Sequence, residues 1–282
     1  MARGPATPAR LRISRGIALN VRTWPALADG PTVLLLHPNR TNSHVWDFVV
    51  AHSRLPYRFV AVDHRGHGDS DWPDRGYELE EYVADDIALI EEHLGGPVVL
   101  AGAATGGNIA LLLASSRPDL VSAAIVVDPG LSLDPAINER VQDEIESGYT
   151  FPDRSAALAA MPFSELWSPH VRAHFGHHGF QDLVDGRVGG RYDKDAAQYT
   201  EALLEVDMWD RIELRCPLLA VRGAESEVFD RQKLVRLGGL VERSTIAEVV
   251  RANHRVTQDN PAALAAIIDA FIEAELADRP LG

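Results

Sequence analysis

Short unbroken apolar runs punctuate the chain. They are Val33-Leu34-Leu35-Leu36, Phe59-Val60-Ala61-Val62, Val98-Val99-Leu100-Ala101, Ala123-Ala124-Ile125-Val126-Val127 and Leu218-Leu219-Ala220-Val221. A weaker one is Ile246-Ala247-Glu248-Val249-Val250. Runs of this length suit strands buried on both faces, as in a parallel sheet. Residues 9–24 alternate instead and predict a hairpin of two outer strands. Between the runs, residues 44–54, 79–94, 107–116 and 260–276 repeat at the helical period. This alternation predicts an α/β fold with a doubly wound, mostly parallel sheet. It breaks from 131 to 213, a stretch richer in aromatics, histidine, proline and glycine. The expected organisation is a core made of 1–130 and 214–282, with 131–213 inserted as a helical cap.

Open parallel sheets place ligands beyond the carboxyl ends of their strands. The residues just past each run are therefore the candidates for chemistry. They are His37-Pro38-Asn39-Arg40, the run from Asp63 to Ser70, the turn Gly102–Gly107, Asp128-Pro129-Gly130, Arg222 to Glu227, and Asn253-His254-Arg255.

Composition narrows the partners. The chain has 282 residues and a formal net charge of −14, which disfavours nucleic acid and anionic membranes. Much of the acid falls on the polar face of the 79–94 helix, a solvated surface. No apolar run is long enough to cross a bilayer. The first eight residues lack the apolar core of a signal peptide. Cys216 is the only cysteine, so no internal disulfide forms. The expectation is a cytoplasmic protein acting on a small molecule, with a homodimer left open.

The turn after the third run carries the sharpest signal. Val98 to Ala110 reads as strand, glycine-flanked turn and helix start, the frame of a nucleophile elbow. The glycines are present, but Ala104 stands where the serine belongs. With Asp63-His64-Arg65-Gly66-His67-Gly68-Asp69-Ser70, Val127-Asp128-Pro129, Arg222-Gly223-Ala224-Glu225-Ser226 and Asn253-His254, the chain resembles the α/β-hydrolase fold superfamily over residues 17–275. It is most similar to the branch with its acid after the sixth strand, which includes bacterial aromatic-degradation hydrolases and cofactor-free dioxygenases. The resemblance implies His254 as general base and Asp128 as its orienting acid. It implies an oxyanion hole from the backbone N–H groups of Asn39 and Thr105. Glu225 and Glu227 are competing acids, but Ser226 holds the family's usual position in that loop. Pro38, where the family usually has glycine, is a second departure.

Three readings of Ala104 follow. In the first, the chain is an inactivated hydrolase that in its serine form cleaves an ester, amide or activated C–C bond of a small carbonyl compound. In the second, alanine is native, and His254 with Asp128 runs a nucleophile-free lyase, decarboxylase or cofactor-free oxygenase reaction. In the third, the pocket binds a ligand without turnover. Substrate contacts are expected from Arg40, His37, Met161, Phe163 and Trp167. His170, His174, His177 and His178 crowd the cap, but no carboxylate or cysteine completes a metal pattern near them. No metal and no organic cofactor are expected.

Overall fold

The computed structural model describes residues 3–132, 150–161, 164–197 and 208–276. Strands β1 (Thr7–Arg12) and β2 (Ala18–Trp24) form the expected outer hairpin. The apolar runs become β3 (Thr32–Leu36), β4 (Arg58–Asp63), β5 (Val98–Ala103) and β6 (Val121–Val127). The insertion carries β7 (Thr150–Phe151), β8 (Phe180–Asp182) and β9 (Val188–Gly190). The core closes with β10 (Leu218–Gly223) and β11 (Ser244–Val249). The eight core strands lie in the order β1-β2-β4-β3-β5-β6-β10-β11. From β4 to β11 every pairing is parallel.

Helices follow the strands: α1 (Asp47–His52), α2 (Leu79–Leu89), α3 (Thr105–Ser116), α4 (Arg154–Ala159), α5 (Pro169–His178), α6 (Arg231–Gly239), α7 (Val256–Asp259) and α8 (Pro261–Leu276). The helix expected over 79–94 changes pitch at Ile90. Its last five residues form a π-helical turn that stops at Gly95, which takes a left-handed φ of 73°.

Period-two alternation within the strands sorts the core into two layers. Leu34, Leu36, Val60, Val62, Leu100 and Val126 pack with α2, α3 and α6. Val33, Leu35, Phe59, Ala61, Val99 and Ile125 pack with α1 and α8. Trp167, Val171, Phe175 and Phe180 of the insertion join the second layer, so cap and core share apolar contacts. In the cap, α4 and α5 accompany the three-stranded sheet β7-β9-β8. Ser168 starts α5 by accepting a hydrogen bond from the Val171 N–H, with Pro169 in the first turn. Arg65, expected to tie loops together, donates to both oxygens of Asp85 and to the Gly76 carbonyl.

Candidate active site

Ala104 follows β5 directly and precedes α3. Its φ of 48° and ψ of −117° lie in a region that L-residues avoid. Such a conformation costs about 1–3 kcal/mol. It persists because the turn is fixed on both sides. The Ala104 N–H donates to the Val127 carbonyl at 2.9 Å, and its carbonyl accepts from Gly107 N–H at 2.8 Å. A Cβ on Gly102 would lie 2.0 Å from the Gly106 carbonyl oxygen, and one on Gly106 would lie 2.4 Å from that of Leu36. The elbow glycines are thus required by backbone approach. The arrangement seats the first turn of α3 against the end of β3.

Asp128 stands one residue past β6, where Ala103 and Val127 are register partners. The apex and the acid therefore sit side by side on neighbouring strands. Asp128 is fully buried and also takes a positive φ, 50°. Its carboxylate accepts three hydrogen bonds. Gly223 N–H donates to Oδ2 at 2.8 Å, Ser226 Oγ to Oδ1 at 2.6 Å, and His254 Nδ1 to Oδ1 at 2.8 Å. That last bond puts the imidazole proton on Nδ1 and leaves Nε2 with a lone pair, as a general base needs. Glu225 and Glu227, the competing acids, are exposed.

Two further residues, assigned no role from the sequence, position the pair. Ser226 occupies the family's alternative acid position and donates to the acid instead. Asp259 accepts from Asn253 N–H at 2.9 Å, which fixes the turn carrying His254. Burial pushes Asp259 up to about 7, the Asn253 bond and Arg255 oppose this, and Glu165 and Glu225 add to the rise. The proximity of Asp259 to His254 in the sequence was the available signal.

The loop after β3 faces α3. Asn39 and Thr105 line one narrow void together with His37, His64, His67, Tyr82 and Ile109. The Thr105 N–H is the first of α3 and has no intrahelical acceptor. The Asn39 side chain is held by three partners. Its Nδ2 donates to the Ala197 carbonyl of the cap at 3.0 Å. Its Oδ1 accepts from Arg40 N–H and stands 3.1 Å from His67 Nε2. Burial and the neighbouring His64 push His67 down to about 4, against a hydrogen bond to the Arg65 carbonyl and the charges of Asp63 and Asp193. Arg40 adopts a left-handed φ of 56° beside Asn39.

His37, expected among the substrate contacts, is engaged inside the loop. It is 1% exposed, and both its ring nitrogens are used internally. Nδ1 donates to the Pro38 carbonyl at 2.7 Å, and Nε2 accepts from His64 N–H at 3.0 Å. Burial, then His64 and His67, hold it well below the usual histidine range, so the ring is neutral. His37 braces the loop, and it also lines the void it shares with Asn39 and Thr105. Pro38, the second departure, contributes the carbonyl that anchors both His37 and the Thr41 hydroxyl.

On the cap side, Met161 and Trp167 pack into the apolar cluster that contains Ala103 and Val127. The Trp167 and Phe175 rings meet at a tilt, 4.9 Å between centres, and the Arg255 guanidinium lies 5.6 Å from the Trp167 ring centre. The Trp167 indole N–H is buried without a hydrogen-bond acceptor. Phe163 lies outside the described residues.

The profile of the alpha/beta hydrolase fold matches residues 31–260. The chain belongs to the α/β-hydrolase fold family. Among its relatives is a 2-(acetamidomethylene)succinate hydrolase of Mesorhizobium japonicum, 29% identical over 94% of this chain and 95% of that protein. An esterase of Mycobacterium tuberculosis is 28% identical over 93% of this chain and 88% of its own length. The crystal structure of an E-2-(acetamidomethylene)succinate hydrolase superposes with a TM-score of 0.85 at 26% identity, covering 95% of this chain and 99% of the other. By family this α/β-hydrolase is an enzyme of the hydrolase class. No helix among its described residues is long and apolar enough to cross a membrane.

Proposed function

We propose that this α/β-hydrolase is built to cleave the ester, amide or activated C–C bond of a small carbonyl compound held between cap and core, and that Ala104 removes its covalent step. The observation that carries this reading is the backbone of Ala104, bent to φ 48° beside an intact His254–Asp128 pair. A methyl group gains nothing from that bend, whereas a hydroxyl projected from it would meet the base. The relative that hydrolyses 2-(acetamidomethylene)succinate supports an acylated, carboxylate-bearing substrate. Arg40 is the cation proposed to meet such a carboxylate, with Met161 and Trp167 on the cap side.

With serine at 104, its hydroxyl would attack the carbonyl carbon while His254 Nε2 takes the proton. The oxyanion would be received by the Thr105 and Asn39 N–H groups, and the leaving group would depart with the proton. Water, deprotonated by the same nitrogen, would then release the acid. As the chain stands, only the last type of step is open: His254 activating water directly. Loss of the nucleophile costs about 10⁶-fold in a serine protease, and a residual ~10³–10⁴-fold over water survives.

The test is Ala104→Ser, assayed on a panel of small esters and enamides. A rise in kcat of about 10⁴-fold or more supports the reading. A second reading, native proton-transfer chemistry, is favoured by the fully bonded Asp128 carboxylate, which a mere binder has no use for. If Ala104→Ser gains nothing while His254→Ala abolishes turnover in the unaltered chain, that second reading replaces the first.

A further inference from the structure

We propose that His44, His174 and His178 bind one divalent transition-metal ion, of the zinc, nickel or copper type, at the junction of core and cap. His44 sits in the 3-10 turn Ser43–Trp46 of the core. His174 and His178 lie one turn apart on α5 of the cap, so they share a helix face. One ring nitrogen from each of the three lies within 4.8 Å of the other two. Metal–nitrogen bonds of about 2.0–2.1 Å in a tetrahedral site bring such nitrogens to about 3.4 Å apart. Rotation about the side-chain bonds covers the difference. The stacked His44 and His178 rings, 3.6 Å between centres, must tilt apart to do so.

The surroundings suit imidazole ligands. Asp47 Oδ2 lies 2.8 Å from His44 Nδ1 and 3.0 Å from His174 Nε2. A carboxylate bonded to the far side of a ligating ring fixes its orientation and raises its basicity. An ion bound through the other nitrogen of each ring would leave both contacts in place. Asn42 Nδ2 donates to the His178 carbonyl at 2.9 Å, which already ties the end of α5 to the core. Arg22 also pairs with Asp47, so the carboxylate brings no net negative charge. A donor set of near-neutral imidazoles selects borderline metals and rejects magnesium and calcium, which need several oxygen ligands. The i, i+4 pair was visible in the sequence; the third ring comes from a distant part of the chain, which is why no site was expected there.

The experiment uses the full chain, stripped with a chelator, and titrates it with zinc, nickel, cobalt or magnesium ions. The expected result is one zinc or nickel bound per chain at micromolar or tighter affinity. Cobalt should give a visible ligand-field band, and magnesium should not bind. At a metal concentration about 100 times the Kd the thermal midpoint should rise by roughly 5 °C. His174→Gln and His178→Gln should each weaken binding by at least about tenfold. His177→Gln, an exposed neighbour on the same helix, should not change it. Absence of the cobalt band in the unaltered chain overturns the proposal without reliance on any variant folding. So does undiminished zinc affinity in the folded His174→Gln and His178→Gln variants, or magnesium binding as tight as zinc.

Discussion

His254 meets Asp128 at 2.8 Å beyond the strand ends, whereas His64 stands 3.5 Å from Asp86 in the layer between β4 and α2. The two pairs use the same residue types, and both aspartates are fully buried. Their surroundings differ. Asp128 is ringed by a backbone N–H, a hydroxyl and the imidazole. Neither oxygen of Asp86, nor Nε2 of His64, has a hydrogen-bond partner. Burial therefore raises Asp86 above the usual carboxylate range, with His64 and Arg65 pulling the other way. Donors to the carboxylate let a buried histidine–aspartate pair keep its charge, as the proposed acid–base role of His254 and Asp128 needs. Without them the cheaper state is a protonated acid.

The sharpest way to break this contrast is Asp128→Asn in an Ala104→Ser background. The amide would turn an N–H towards existing donors and favour the wrong imidazole tautomer. The expected loss in kcat is about 10³–10⁴-fold. Asp86→Asn in the same background should change kcat by less than about threefold. Equal losses from both would erase the distinction. Ser226→Ala comes next. It removes one donor from Asp128 and should lower the unfolding free energy by about 1–2 kcal/mol in urea melts, with a roughly tenfold drop in kcat. No change in either quantity would mean that two donors suffice.

The smallest effect concerns pH. Because Asp86 is raised in the folded state, its contribution to stability is complete below about pH 4 and is lost as pH climbs through its folded value. Asparagine at this position cannot ionise. Asp86→Asn should therefore gain on the unaltered chain between pH 4 and 7, by under about 2 kcal/mol. Urea midpoints measured at several pH values test this, and a pH-independent difference between the two proteins contradicts it.

Much of the fold was legible because its strands are short, apolar on both faces and bounded by polar ends. Val98–Ala101 and Ala123–Val127 fall inside β5 and β6, and the residues read as lying beyond them are the turn with Ala104 and the buried Asp128. The 79–94 helix was legible from its periodicity, but not its change of pitch at Ile90, since π and α turns bury nearly the same face. Side-chain roles that depend on distant partners were out of reach. Nothing local marks Ser226 as a donor to a residue on another strand. His37 was legible as a pocket residue by its place after β3, but not the engagement of one nitrogen by the backbone of His64 and of the other by Pro38. The candidate metal cluster was half legible, since spacing along a helix is local and the approach of His44 is not.

The left-handed bend at position 104 has one more consequence. A strained peptide with no task would drift towards an easier shape over time, but the backbone packed around Gly102 and Gly106 leaves this one no room. Any alanine codon becomes a serine codon by one base change. On the proposed reading, the apex differs by one oxygen atom from one that could form an acyl intermediate.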